Sequence, residues 1–96
     1  MTDRFRKLLV IYNAKAGLSS QHVQFVEALE YLARHHYEVT LYPIIPEEGI
    51  TSEWLMANVG SRFDTAIVCG GDGTLNHMVN GMINSQISYP IGYLPA

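Results

Sequence analysis

What this 96-residue sequence lacks narrows its function before any motif is read. It has a single cysteine, Cys69, so no internal disulfide can staple it, and a reducing, cytoplasmic setting is expected. Six Lys and Arg stand against nine Asp and Glu, for a net charge of -3. Without a basic excess to neutralise a phosphate backbone, nucleic acid is not an expected partner. No apolar run nears the ~20 residues that a membrane-spanning helix needs. The apolar run behind the basic residues Arg4, Arg6 and Lys7 is too short for a signal peptide, and those charges read as a solvated lead-in to a first strand. Repeats, low-complexity stretches and linkers are absent. The four histidines do not assemble a metal site on paper: His35 and His36 are adjacent and diverge on a helix, His22 and His77 lie in separate segments, and no second sulfur accompanies Cys69.

What is present is a globular pattern, with 48% hydrophobic residues against 16% charged ones. The length allows one small domain. Leu8 to Tyr12 is a continuous apolar run suited to a strand covered on both faces. A polar stretch, Asn13 to Ser20, follows, and Ser19 or Ser20 is placed to cap a helix carrying Phe25, Val26, Leu29, Leu32 and Ala33 at helical spacing. His35 and His36 close that helix. Glu38 to Tyr42 reads as a second strand ended by Pro43. Thr51 or Ser52 can cap a short helix with Trp54, Leu55, Met56 and Val59 in the core, Glu53 near its positive end and Gly60 at its stop. Thr65 to Cys69 is a third buried strand. Leu75, Met78, Val79, Met82 and Ile83 give a third helix by period, modestly weakened by Gly81. Pro90 to Leu94 reads as a fourth strand. The order βαβαβαβ predicts an α/β fold: an open, doubly wound parallel sheet whose ligands bind beyond the carboxyl ends of the strands.

Gly70-Gly71-Asp72-Gly73-Thr74 lies at that edge, between a buried strand and a helix. Three glycines allow close backbone approach, and φ > 0 where a turn requires it. The helix behind them aims free N–H groups and a positive dipole end at the loop, which favours phosphate. Thr74 adds a hydroxyl. Asp72 is the informative residue, because a carboxylate in an anion-binding loop repels phosphate unless Mg²⁺ bridges the two or the carboxylate accepts a proton from a substrate hydroxyl. Either use points to phosphoryl transfer. The string is not a Walker loop, and Asn76 stands where a dinucleotide fingerprint needs its third glycine. The plainer alternative is a turn that needs glycine for geometry alone, with Asp72 as a helix cap. Ile44 to Thr51 could close over a ligand at this edge, with Thr51 a weak candidate contact.

Gly70-Gly71-Asp72-Gly73-Thr74-Leu75-Asn76 resembles the signature of the diacylglycerol kinase catalytic domain, a family that extends to bacterial lipid kinases and sphingosine kinases. NAD kinases and phosphofructokinases share the Gly-Gly-Asp-Gly core and the nucleotide-binding fold. Three further stretches resemble the lipid-kinase branch. Asn13-Ala14-Lys15-Ala16-Gly17 is similar to its turn after strand one. Val79-Asn80-Gly81 has its spacing, and Ile91 to Ala96 resembles the strand leading to its Gly-Thr-x-Asn-Asp motif. The likeness runs from about Lys7 to Ala96. It implies ATP as phosphoryl donor, Mg²⁺, and a lipid hydroxyl, such as that of diacylglycerol, as acceptor. By resemblance, Asp72 is the catalytic or metal-linked acid, and Asn13, Lys15, Gly17, Gly70, Gly71, Gly73, Thr74 and Asn76 line the nucleotide site. Lys15 reads equally as phosphate neutraliser or as exposed loop lysine, and Asn80 reads as surface. Three positions depart from the pattern: Ala14 for proline, Ala16 for serine, and His77 where many members carry glutamate.

The same resemblance implies that residues 1–96 are a truncated N-terminal nucleotide-binding domain, inactive alone, whose β-rich lipid domain and Gly-Thr-x-Asn-Asp motif lie outside it. The expected setting is cytoplasmic with transient peripheral contact at a membrane surface, and the uncapped last strand allows a homodimer. The rival readings are a kinase acting on NAD and a non-catalytic nucleotide-binding regulatory module. The string Leu94-Pro95-Ala96 disfavours the first, while Ala16 and His77 keep the second open.

Overall fold

The computed structural model describes residues 5–13 and 22–95. Strand β1 (Arg6–Asn13) leads to helix α1 (His22–Arg34), and β2 (Tyr37–Ile44) to α2 (Ser52–Asn58). Strand β3 (Thr65–Gly70) then leads to α3 (Asp72–Asn84) and β4 (Ile91–Pro95). The four strands form one parallel sheet in the order β2-β1-β3-β4. The expected βαβαβαβ order and parallel sheet are therefore present. The residues proposed as a turn after β1, with Lys15 and Gly17 among them, lie outside the described residues, as does the proposed serine cap of α1.

The apolar run of β1 is covered on both faces, which is why it does not alternate. Leu9 and Ile11 belong to a core with Leu55, Met56, Val59, Met78 and Met82, contributed by α2 and α3. Leu8 and Val10 face the other way, into a smaller cluster with Cys69 and with Phe25, Leu29 and Leu32 of α1. Burying a side chain of this size is worth about 1.5–3 kcal/mol. The four central residues of β1, all at most 2% exposed, therefore tie both layers to one strand.

Three expectations need correcting. Pro43 does not end β2 but lies inside it, opposite Tyr12. As the edge strand, β2 has one side without a partner, where a missing N–H breaks no ladder. Trp54 is exposed rather than core, because only the side of α2 carrying Leu55, Met56 and Val59 faces the sheet. Ile83 (68% exposed) and Val26 (40%) likewise sit at the margins of their helical stripes.

Helix ends follow local rules. Thr51 caps α2 by accepting from the Trp54 N–H at 3.1 Å. Helix α3 closes with Gln86 in the left-handed region (φ 58) and with bonds from the Ile87 N–H to the Met82 carbonyl and from the Gln86 N–H to the Ile83 carbonyl. The link after β2 is compact: Ile45 and Ile50 exchange two backbone hydrogen bonds around a turn that ends at Gly49 (φ 76).

Candidate functional site

In the order β2-β1-β3-β4 the chain moves outward in one direction from β1 to β2, then in the other from β3 to β4. The crevice of such a sheet opens at the carboxyl ends of the two strands flanking this switch, β1 and β3. Tyr12 is registered with Cys69, so the next residue on each strand, Asn13 and Gly70, leaves the sheet side by side. Gly70 is in turn registered with Pro95. Two proposed site residues from distant parts of the chain thus share one edge.

The glycine segment is shorter as a loop than its sequence suggests. Gly70 is the last residue of β3, α3 begins at Asp72, and Gly71 alone joins them. Gly71 occupies the N-cap position in extended conformation (φ -87, ψ -179) with no side-chain cap. The first N–H groups of a helix have no intrahelical partner, and the dipole adds partial positive charge there. The start of α3 is thus a set of donors to which the N-cap residue brings no capping side chain.

None of the three glycines adopts a positive φ, so left-handed geometry is not what they supply. Clearance is: apart from chain neighbours and the helix's own backbone, no described residue lies within 4 Å of a Cβ on Gly71 or Gly73. Gly70 differs, since a Cβ there would meet the Thr74 Oγ1 at 3.0 Å. Thr74 therefore folds back over the end of β3, with its hydroxyl beside the strand terminus.

Asp72 is not a cap, which removes the plainer reading of its carboxylate. It is the first helical residue and it is exposed. Its Oδ1 accepts a hydrogen bond from the Tyr93 hydroxyl at 3.1 Å, across from β4. Partial burial raises the Tyr93 phenol above its ordinary value, and the hydrogen bond to Asp72 and the carboxylate charge push it the same way. Asn76 lies one turn further along α3 and is exposed, as are His77 and Asn80.

The turn is held from beneath by α2. Ser52, the one buried polar residue among those described, donates from Oγ to the Thr74 carbonyl at 2.9 Å. The two helices can approach this closely because of Gly81, where a Cβ would meet the Glu53 Cα and carbonyl oxygen at 2.9 Å. Gly81 is thus a contact point and not merely a weak position in a helix.

Sequence reading missed Ser52 and Tyr93. Ser52 carried no distinguishing signal beside Thr51. Tyr93 did: an aromatic with a polar tip, near the carboxyl end of a strand entering the ligand edge. The Thr51 hydroxyl caps α2 by accepting from the Trp54 N–H, which leaves its own proton available to donate.

No cluster of three His, Cys, Asp or Glu suited to a metal occurs among the described residues. Mg²⁺ bound to a nucleotide does not require one, because substrate phosphates and water complete its octahedron around one or two carboxylates. The exposed carboxylate of Asp72 fits that need. A cavity of about 350 Å³ between Phe63, Ile87 and Tyr89 lies at the opposite, amino edge of the sheet and is no part of this site. No helix among the described residues is long and apolar enough to cross a membrane.

Comparison with known proteins agrees with this arrangement. The family described as "Diacylglycerol kinase catalytic domain" matches residues 7–96. A relative named "Diacylglycerol kinase" from Staphylococcus aureus (strain MRSA252) is 30% identical over 90 residues, covering 94% of this chain and 28% of the relative. The crystal structure of a diacylglycerol kinase from Bacillus anthracis str. Sterne superposes with a TM-score of 0.75 at 27% identity, covering 99% of this chain and 34% of that one. The chain spans about a third of the length of the relatives it matches.

Proposed function

The chain belongs to the diacylglycerol kinase catalytic domain family, and on that premise we propose that it is the nucleotide-binding part of an ATP-dependent lipid kinase. The observation that carries the reading is the start of α3, where the N-cap residue is a glycine, no described residue outside the turn stands near a Cβ at Gly71 or Gly73, and a carboxylate is the first helical residue. Backbone N–H groups of that turn bind the donor phosphates, the Thr74 hydroxyl adds a donor, and Asn13 and Asn76 flank them. Lys15 and Gly17 contribute from the segment after β1. Mg²⁺ accompanies the nucleotide and offsets its charge.

The reaction forms a bond from the acceptor hydroxyl oxygen to the γ-phosphorus and breaks the bond between that phosphorus and the β,γ-bridging oxygen, releasing ADP. Asp72 receives the hydroxyl proton. The acceptor is a lipid hydroxyl such as that of diacylglycerol, which requires transient contact with a membrane surface. The lipid-binding part lies in the remaining length that the relatives have.

The test is phosphate transfer from ATP to diacylglycerol in mixed vesicles by the complete gene product, with NAD as a parallel acceptor. Asp72→Asn keeps size and hydrogen bonding but cannot take the proton, and a general base contributes about a hundredfold or more to rate. A loss of that size in lipid phosphorylation, with ATP binding retained, is the expected result. Unchanged turnover would remove Asp72 from the chemistry, and transfer to NAD in place of lipid would reassign the acceptor.

A further inference from the structure

Asp72 has a partner that the nucleotide chemistry does not call for. Tyr93 lies on β4, registered with Val68, and its ring packs against the main core. Its hydroxyl donates to the Asp72 Oδ1 at 3.1 Å. The other carboxylate oxygen accepts no hydrogen bond from a described residue. Apart from their own chain neighbours and helix backbone, no described residue comes within 4 Å of a Cβ placed on Gly71 or Gly73, the two residues that flank Asp72.

We propose that Tyr93 is a positioning residue for Asp72, whose hydroxyl holds one carboxylate oxygen so that the other is presented to the acceptor hydroxyl. This rests on the role given to Asp72 above. An aspartate at the first position of a helix, flanked by glycines, receives no side-chain packing from either neighbour in the chain. Catalysis requires a single orientation, because a displacement of about an ångström costs on the order of a hundredfold in rate. The hydroxyl of Tyr93 supplies that constraint from a rigid element: β4 is fixed by its ladder to β3, and the ring is fixed by the core. The bond itself is exposed to water. An exposed hydrogen bond adds little to folding, so its consequence lies in orientation rather than stability.

Tyr93→Phe keeps the ring and its packing and removes only the donor. In the complete gene product, kcat for lipid phosphorylation should fall about tenfold, the scale of one hydrogen bond to a charged group. The KM for ATP and the thermal midpoint should be unchanged. In an Asp72→Asn background the same substitution should have no further effect on kcat, within about twofold. Tyr93→Phe with kcat within about twofold of the parent would overturn the inference. So would a loss that tracks a lowered thermal midpoint, or one of equal size in the Asp72→Asn background. An inactive Asp72→Asn beside an unaffected Tyr93→Phe would sink this inference alone, whereas a fully active Asp72→Asn would sink both.

Discussion

At the scale of single residues, four glycines with the same side chain have three different jobs, and their surroundings tell them apart. Gly71 and Gly73 have no described residue outside their own turn against them, Gly70 lies against the Thr74 side chain, and Gly81 touches the backbone of another helix. A methyl at Gly73 meets no described residue beyond its own helix and improves helix propensity by up to about 1 kcal/mol, so Gly73→Ala should fold at least as well as the parent. If the turn binds phosphate as proposed, the variant should still bind ATP worse by about tenfold, because the methyl would stand between the phosphate and the N–H groups of the turn. Titration calorimetry beside a thermal melt separates the two effects. Unaltered ATP affinity in a stable variant would mean that phosphate does not lie over Gly73. The three glycines of the turn were visible in the sequence, but their roles were not, because open space and φ sign belong to three-dimensional neighbours. The same limit hid Ser52: a buried serine and an exposed one look alike until α3 is laid against α2.

At the scale of elements, the junction of α2 with α3 sets where the glycine turn stands. Ser52 at the start of α2 holds the Thr74 carbonyl, and Gly81 two turns along α3 lets the helices meet. Gly81→Ala would gain about 1 kcal/mol of intrinsic helix propensity. Against this, its Cβ would lie 2.9 Å from the Glu53 Cα and carbonyl oxygen, which are backbone atoms that no rotamer change can move aside. Overpacking of this kind costs about 1–3 kcal/mol, so the variant should be less stable than the parent in denaturant unfolding. A stability equal to or above the parent would show that α2 yields easily. Helix periods and the two-sided burial of β1 were legible in sequence because they depend on neighbours a few residues away. The helix crossing at Gly81 was not, since Glu53 is remote in the chain. Trp54 was misread for a related reason: a short helix offers the sheet one narrow face, and a large aromatic beside that face need not be on it.

At the scale of the whole molecule, the alternation of strands and helices was enough to infer a parallel sheet with its ligand edge at Asn13 and Gly70. The unequal layers, one helix against two, emerge only from the strand order. That layering buries two acidic groups on opposite faces. Burial pushes the Cys69 thiol from 9.0 to about 11 and the Tyr89 phenol from 10.0 to about 12. Tyr89 also donates to the Gly60 carbonyl at 2.9 Å. In the unfolded chain both groups release their protons at their ordinary values, so between about pH 9 and pH 12 the folded state holds more protons than the unfolded state. Stability should therefore be undiminished by these groups below pH 9 and decline as pH rises through that window. Denaturant unfolding at a series of pH values measures the decline as a slope. Cys69→Ala should flatten it between about pH 9 and 11, and Tyr89→Phe between about pH 10 and 12, even though each variant starts from lower stability. The slope is the diagnostic quantity, because lost packing lowers the curve at every pH alike, whereas a lost titration changes its shape. A double variant with the parent's alkaline slope would place the responsible protons elsewhere.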